Sequence, residues 1–331
     1  MICSINLKII YIYIIILNIS FASSDSLRFL NYNIYGLNKF YTYLFPNKSI
    51  DNNKDRIKLI FEESNKYDIV FFQENWSYQN LLKEIMINHK LVIAEKTNFI
   101  FKKNPKRSSG LNFAISNKFN IDYVEEILYS ECNGYLSGYN DCLASKGFIY
   151  LLISKDNYKI NLYVTHLDAG YDDSDIEARK FQLKELSEHI KKIDNNYSFI
   201  ICGDFNIDYY TSPHIINKFT EENKLDILQW SENINIDEMI DYVFFKTGEN
   251  EISIIHSGIN STLINKLMEK LMTNKSLMNI PVYYILFISL AICMPLVAQE
   301  EAKQEDESEV AVVPDADGIE DPGLKAGNVA P

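Results

Sequence analysis

Two polar residues at the end of one apolar run have the types and spacing needed for phosphate and metal chemistry. Asp204 and Asn206 follow the run Phe199–Cys202 and the intervening Gly203. Short apolar runs of this kind are typical of buried strands, and residues two apart on a strand lie on the same side. With a histidine from a neighbouring strand, they can hold one hard cation and one phosphate group. Gly, Asp and Asn are also turn formers, so this stretch alone is equally compatible with a turn.

Other predicted strands end in, or lead into, polar residues of the same kind: Asn33, Glu74, His166 and Asp241. Ligands of α/β sheets bind beyond the carboxyl ends of the strands. Oxygen donors with one imidazole suit Mg²⁺ or Ca²⁺ better than Zn²⁺, and no Cys/His pair has zinc-ligand spacing. No glycine-rich phosphate loop and no Gly-x-Ser-x-Gly elbow occurs. The pattern predicts a phosphate site with a hard divalent cation, Mg²⁺ or Ca²⁺, as its cofactor.

These side chains must be positioned by strands and helices whose hydrophobic periodicity is visible in the sequence. Helices are predicted over residues 53–66 and 174–192, the second opened by the capping box Ser174-x-x-Glu177. Strands and helices mix without a strict βαβ alternation, which favours an α/β sandwich with mixed sheets over a purely parallel sheet. The predicted strands are Leu27–Ile34, Asp68–Phe72, Gly110–Ser116, Gly147–Ser154, Lys159–Thr165, Ser198–Cys202 and Ile240–Phe245.

In order and approximate spacing, the motifs resemble those of the endonuclease/exonuclease/phosphatase superfamily. The resemblance covers residues 27 to about 260 and implies the deoxyribonuclease-I-like fold, a four-layer α/β sandwich of two mixed β-sheets flanked by helices. The motifs that carry it are Asn31-Tyr-Asn33, Gln73-Glu74, Thr165-His166, Gly203-Asp-Phe-Asn206 and Ile240-Asp-Tyr242.

Finer motifs are similar to those of the neutral sphingomyelinases. These are Asn33-Ile-Tyr-Gly36-Leu37, Asp141-Cys-Leu-Ala-Ser-Lys146-Gly147, and Thr165-His-Leu-Asp-Ala-Gly170 followed by Arg179-x-x-Gln182. The resemblance implies a phosphodiesterase that uses Mg²⁺ to hydrolyse sphingomyelin to ceramide and phosphocholine. A nuclease or a phosphatase of small phosphoesters, from the same superfamily, is the alternative.

The resemblance assigns roles to the strand-end residues. Glu74, with Asn33 nearby, would hold the metal ion, and His166 would donate a hydrogen bond to the phosphate or stabilise its developing charge. Asp204 would orient the attacking water or its base, and Asn206 would bind a phosphate oxygen. Each of these positions also has a non-functional interpretation: a surface carboxylate for Glu74, a core histidine for His166 and a turn for residues 204–206.

Three further residues have supporting roles under the resemblance. Asp141 and Lys146 would lie near the phosphate, where a lysine can neutralise phosphoryl charge. A solvated loop pair is the alternative for these two. Asp241 is expected to support the site without acting directly.

One motif of the family is missing. Its members end with Ser-Asp-His, in which the resemblance makes the histidine the general base, and no such triplet follows Phe245. His256 follows Ser253-Ile-Ile, with no aspartate directly before it. We therefore predict a fold without its last strand and little or no hydrolase activity. A protein that binds membrane lipid without turnover is a further hypothesis.

The two ends of the chain differ in composition from its middle. Residues 1–22 read as a secretory signal, so we expect an exported domain over residues 23–262. A linker and the uncharged run Met278–Ala298 make up 263–298, and the run reads either as a membrane span or as a second signal-like sequence. The composition changes there, which also fits a fused reading frame. An acidic, disordered tail is predicted for 299–331.

The net charge and the aromatic residues indicate which classes of partner the chain favours. The net charge is −13, of which residues 299–331 carry −8 and the rest of the chain −5. This does not favour nucleic acid as a partner, since such binding requires a basic surface. The aromatic segment 39–46 is compatible with a phospholipid membrane or with ordinary packing. Whether Cys132 and Cys142 pair stays open, and no protein partner follows from the sequence.

Overall fold

The predicted strand positions form the middle of two β-sheets in a computed structural model of the protein. The structure describes residues 27–36, 53–97, 108–134, 141–193, 195–228, 239–249, 253–258 and 287–293. Both sheets are mixed, with one parallel pair of strands among antiparallel neighbours. The predicted fold class, an α/β sandwich of two mixed sheets flanked by helices, is confirmed.

The first sheet has the strand order β11-β12-β1-β2-β4-β3. Strands β1 and β2 run parallel, and every other neighbouring pair is antiparallel. The bounds are β1 Leu27–Asn33, β2 Ile69–Gln73, β3 His89–Ile93, β4 Asn112–Ser116, β11 Ser253–Gly258 and β12 Phe287–Cys293.

The second sheet has the order β5-β6-β7-β8-β10-β9, with β7 and β8 parallel. The sequence did not predict β3 or β5. Both are edge strands with partly exposed residues, so neither contains a continuous apolar run. The bounds are β5 Asn120–Leu128, β6 Gly147–Lys155, β7 Tyr158–His166, β8 Ser198–Asp204, β9 Asp226–Ile227 and β10 Asp241–Lys246.

In the part of the chain that the structure describes, four helices cover the outer faces of the sheets: α1 Asn53–Ser64, α2 Gln79–Ile85, α3 Asp173–Lys192 and α4 Pro213–Asn223. One buried cluster lies between the two sheets, and its Phe71 and Phe113 rings are 5.0 Å apart. A second lies between the first sheet and α1 and α2, and a third between the second sheet and α3 and α4. Each fully buried large side chain stabilises the fold by about 1.5–3 kcal/mol. Burial on both faces explains why the central strands read as continuous apolar runs.

The start of α3 differs from the prediction. The helix begins at Asp173, and its capping box uses Asp172 and Asp175 in place of Ser174 and Glu177. The Asp172 N–H donates to Asp175 Oδ2 at 3.0 Å. Both pairs have the same spacing in the sequence, and the pair that comes earlier in the chain caps the helix.

Two strands from residues 253–293 extend the first sheet, and neither carries the Ser-Asp-His motif of the family's last strand. The absence of that strand stays a prediction. The boundary predicted at residue 262 falls between β11 and β12, and both strands belong to the first sheet. Strand β12 comes from the apolar run predicted as a signal-like or membrane segment, and it pairs with β1 on one side and β11 on the other. An uncharged apolar run has no periodicity that separates a spanning segment from a buried strand. An open edge of β1 provides the unpaired backbone groups that such a strand satisfies.

Several predictions concern residues that lie outside the described ones. These are the secretory signal 1–22, the aromatic segment 39–46, the acidic tail 299–331 and all of 263–298 except β12. Within the described residues, no helix combines the length and the apolar character needed to cross a membrane. Cys132 and Cys142, whose pairing the sequence left open, form a disulfide.

Candidate active site

The parallel strand pairs bring the predicted residues to one edge of the sandwich. Asn33 lies opposite Gln73 in the register of β1 and β2, so Glu74 follows directly beyond it. His166 lies opposite Asp204 in the register of β7 and β8. Because β1 and β2 pack against β7 and β8, the carboxyl ends of all four strands meet.

Glu74, His166 and Asp204 form a cluster whose candidate ligand atoms all lie within 4.8 Å of one another. His166 Nε2 is 3.9 Å from Glu74 Oε1 and 3.8 Å from Asp204 Oδ2. His166 and Asp204 are buried, and the Glu74 side chain is only 13% exposed. In the described part of the chain, this is the group of acidic, histidine and cysteine residues that could hold a metal ion.

The Asn33 amide lies between the two carboxylates of the cluster. Its Nδ2 donates to Glu74 Oε1 at 2.9 Å and to Asp204 Oδ2 at 3.0 Å. Its Oδ1 accepts from the Tyr35 N–H at 3.1 Å. The amide therefore partly compensates two neighbouring negative charges, and rotating it by half a turn would present its oxygen to a cation in their place.

Burial makes the Glu74 carboxylate easy to protonate. Removal from water raises its pKa from 4.5 to about 7, and the charges of Asp204 and Asp141 act in the same direction. The Asn33 hydrogen bond and the charge of Lys146 oppose this shift. A shift of this kind is typical of functional sites, where charges are held close together without solvent.

Two of the predicted residues also have left-handed backbone conformations. Glu74 has a φ of 59° and Asn206 a φ of 49°. Such conformations cost free energy in residues other than glycine and occur often at functional sites. Asn206 is held by its own N–H, which donates to Asp204 Oδ1 at 3.0 Å, and by its Nδ2, which donates to the Leu167 carbonyl oxygen at 2.9 Å.

Lys146 and Asp141 lie beside His166 and are not a solvated loop pair. Lys146 Nζ is 3.0 Å from Asp141 Oδ1 and 3.1 Å from His166 Nε2, and its side chain is 3% exposed. Burial lowers the Lys146 pKa, but the charges of Asp141, Asp168 and Glu74 outweigh this and leave it raised. Burial and the neighbouring Lys146 charge hold the pKa of His166 well below its usual range. The pair is thus an ammonium next to a neutral imidazole.

Asp241 is buried and lies opposite Asp204 in the register of β10 and β8. It is not a member of the three-residue cluster. Its supporting role remains a prediction. The structure therefore brings all eight predicted residues to the same edge: Asn33, Glu74, Asp141, Lys146, His166, Asp204, Asn206 and Asp241.

Asp168, for which no role was predicted from the sequence, lies two residues after His166 and is completely buried. Burial raises its pKa, and its carboxylate accepts from Gln182 Nε2 at 2.8 Å and from the Asn133 N–H at 2.6 Å. Its only sequence signal was its place within the motif Thr165-His-Leu-Asp-Ala-Gly170.

The donor set fits a divalent cation. Two carboxylates, an amide that can present its oxygen and a neutral imidazole lie within ligand or hydrogen-bond distance of one another. The Lys146 ammonium engages His166 Nε2 at 3.1 Å, which favours the oxygen donors Glu74, Asp204 and Asn33 as the ligand set. Oxygen donors select a hard ion such as Mg²⁺, Ca²⁺ or Mn²⁺.

Comparison with known proteins agrees with this geometry. Residues 31–254 match the family described as Endonuclease/Exonuclease/phosphatase family 2, and this range contains all eight candidate site residues. The chain belongs to this family. The activities in the family's name all cleave phosphoric ester bonds, so the chain is related to phosphoric ester hydrolases.

The curated relatives of this family member include two sphingomyelinase C proteins from Bacillus cereus. They are 29% and 28% identical to it over alignments of 223 positions, which cover 61% of this chain. The chain spans about three fifths, 61%, of the length of each relative.

Solved structures show the shared fold. Beta toxin from Staphylococcus aureus has a TM-score of 0.54 at 19% identity, covering 68% of this chain and 88% of the toxin. The catalytic domain of human Nocturnin, solved with a bound sulfate anion, has a TM-score of 0.55 at 15% identity. That match covers 81% of this chain and 94% of the Nocturnin domain.

Proposed function

We propose that the chain is a secreted, Mg²⁺-dependent phosphodiesterase of sphingomyelinase type with slow turnover. It would hydrolyse sphingomyelin in a phospholipid membrane to ceramide and phosphocholine. The observation that carries the proposal is the convergence of Glu74, His166, Asp204 and Asn33 at the family's sheet edge. The two sphingomyelinase C relatives support the choice of substrate.

In this proposal each residue acts on a stated group. Glu74 and Asn33 hold the cation, which when bound polarises a phosphoryl oxygen. Asp204 orients the attacking water, and Asn206 binds a phosphate oxygen. His166 donates its single N–H to the phosphate, because a neutral imidazole has only one.

Lys146 and Asp141 act at the same phosphate. The ammonium of Lys146 stabilises negative charge that develops on the phosphoryl oxygens, and Asp141 holds the ammonium in place at 3.0 Å. Asp241 supports Asp204 from the adjacent strand.

Turnover should be slow because the described residues of the site include no second histidine. Among the histidines whose side chains the structure describes, only His166 lies in the cluster. His256 belongs to β11, which is an edge strand of the first sheet. Loss of a general base typically lowers a rate by about 10²–10⁴-fold.

Choline release from sphingomyelin vesicles tests the proposal. We expect slow release with Mg²⁺, none with EDTA, and none from Asp204→Asn. Asp122→Asn is the matched control, because Asp122 forms a surface ion pair with Lys159 at 3.3 Å. Cleavage of DNA or of a small phosphoester, without choline release, would instead support a nuclease or phosphatase. Rapid sphingomyelin turnover would contradict the predicted loss of rate.

The absence of a second histidine from the described part of the cluster favours one other function, lipid binding without turnover. In that case the protein would co-sediment with sphingomyelin vesicles in a Mg²⁺-dependent manner and release no choline. Asp204→Asn should reduce the co-sedimentation, because this carboxylate belongs to the candidate cation site. Co-sedimentation that is unaffected by EDTA would argue against this function.

A further inference from the structure

A buried aspartate joins helix α3 to the candidate active site. Asp168 lies in the turn 167–170 between β7 and α3, and it is completely buried. Its N–H donates to Gln182 Oε1 at 2.9 Å, and its Oδ1 accepts from Gln182 Nε2 at 2.8 Å. Its carbonyl oxygen accepts from Arg179 Nη1 at 3.0 Å, and its Oδ2 from the Asn133 N–H at 2.6 Å. These bonds fix both the main chain and the side chain of Asp168.

The residues on either side of Asp168 hold the candidate site. The Leu167 carbonyl oxygen accepts from Asn206 Nδ2 at 2.9 Å, and the Leu167 N–H donates to the Asp204 carbonyl oxygen at 3.0 Å. The Ala169 N–H donates to Asp141 Oδ2 at 2.9 Å. A displacement of this turn therefore moves Asn206 and Asp141 together.

Gln182 is the side chain of α3 that fixes this turn most directly. It is completely buried, and its amide makes two bonds to Asp168 and one to the Glu131 carbonyl oxygen at 2.9 Å. Arg179, one turn earlier on the same face of α3, binds the carbonyl oxygens of Asp168 and Gly170. None of these bonds reaches the atoms that would meet a substrate.

We infer that Gln182 is a positioning residue: it sets the turn 167–170 and, through it, the side chains of Asn206 and Asp141. The inference rests on the proposed function only in treating Asn206 and Asp141 as phosphate-binding residues. Removing the Gln182 amide leaves a buried N–H and a buried carboxylate oxygen of Asp168 without their partner, so the turn must shift to satisfy them.

The experiment compares two buried side-chain amides that each make hydrogen bonds inside the protein. Gln182→Met removes the hydrogen bonds and keeps the length of the side chain. Asn223→Leu is the control, because Asn223 is a buried amide of α4 that bonds to Ser187 Oγ and to the Phe219 carbonyl oxygen. Both variants should lose thermal stability, so stability alone does not separate the two roles.

The first readout is the side-chain amide resonance of Asn206 in ¹H–¹⁵N NMR spectra, assigned with Asn206→Ala. We expect Gln182→Met to shift this resonance and Asn223→Leu to leave it at the wild-type position. The second readout is affinity for inorganic phosphate with Mg²⁺ present, measured by calorimetry. We expect about a tenfold loss for Gln182→Met, the size of one lost hydrogen bond, and no change for Asn223→Leu.

The positioning role is overturned if the Asn206 resonance of Gln182→Met is that of the wild type, or if Asn223→Leu shifts it equally. If Gln182→Met does not fold, Gln182→Glu serves instead, because it keeps the acceptor for the Asp168 N–H and loses the donors. A wild-type protein that binds no phosphate contradicts the proposed function, and the Asn206 resonance still decides the role of Gln182.

Discussion

Glu74 has three properties that distinguish it from an ordinary surface carboxylate. It is nearly buried, it lies within ligand distance of Asp204 and His166, and its pKa is raised to about 7. In the cation-free protein this residue takes up a proton on folding. Its protonation therefore links stability and cation binding to pH.

Replacement of Glu74 should change how stability depends on pH. With the folded pKa near 7 and the unfolded value near 4.5, the contribution of Glu74 is present below about pH 4.5 and is lost as the pH rises through 7. Without a cation, the wild-type free energy of unfolding should fall by up to about 3 kcal/mol relative to Glu74→Gln over this range. Urea unfolding in EDTA from pH 4.5 to 8 measures the difference. A constant difference would contradict the burial of this carboxylate.

Lys146 and Asp141 form a buried ion pair, so removing one partner should cost more than removing both. Lys146→Met leaves a buried carboxylate without its cation and should reduce the free energy of unfolding by about 3–5 kcal/mol. Lys146→Met combined with Asp141→Asn should recover part of that loss. Urea unfolding of both single variants and the double variant closes the cycle, and additive losses would show that the two charges do not interact.

At the scale of elements, the turn after β1 and the end of β2 are packed without space for a side chain. The Gly36 N–H donates to the Glu74 carbonyl oxygen at 2.8 Å, and a Cβ at Gly36 would lie 2.7 Å from that oxygen. Arg56 of α1 fixes the same turn by donating to the Ile34 and Tyr35 carbonyl oxygens. The positions of Asn33 and Glu74 are thus set by backbone contact between two elements.

Gly36→Ala should weaken divalent-cation binding. The added Cβ must displace the Glu74 main chain, and we expect roughly a tenfold loss of Mg²⁺ affinity, equivalent to about 1.4 kcal/mol. Gly248→Ala is the control, because its Cβ would meet the Asn196 carbonyl oxygen at 2.2 Å, in a turn that carries no site residue. Calorimetric titration with Mg²⁺ compares the two variants. Equal affinities would show that contact with this turn does not position Glu74.

At the scale of the whole molecule, β12 covers the edge of β1 in the first sheet. It lies between β1 and β11, so its N–H groups face a partner strand on one side or the other. A strand in this position protects the edge of β1, which would otherwise be open to pairing with another chain. Residues 287–293 of the apolar run 278–298 therefore belong to the first sheet.

Ser289→Pro tests this placement, because Ser289 lies opposite both Leu30 and Gly258. Proline removes an N–H from the ladder, and we expect a loss of at least about 1–3 kcal/mol in the free energy of unfolding. Ser289→Ala keeps the N–H and should cost much less. Unfolding in urea, with hydrogen exchange at the β1 amides, provides the measurement. Unchanged protection of β1 in Ser289→Pro would contradict the pairing.

The sequence by itself determined the strands with buried faces, the fold class and the residues at the strand ends. Those features are local, because an apolar run followed by Asp204 and Asn206, or by Glu74, is visible within about ten residues. The edge strands β3 and β5 could not be predicted from the sequence. Their residues are partly exposed and show no clear alternation of apolar and polar side chains.

Only the tertiary structure decided which of these residues share one site and how they are held. Asn33 and Asp204 are 171 residues apart in the chain and 3.0 Å apart in space, and no local pattern encodes that contact. The same holds for the Lys146 contact with His166, the Gln182 bonds to Asp168 and the pairing of β12 with β1. Each depends on register and packing between distant segments, which are fixed by burial of the whole core and not by the residues on either side.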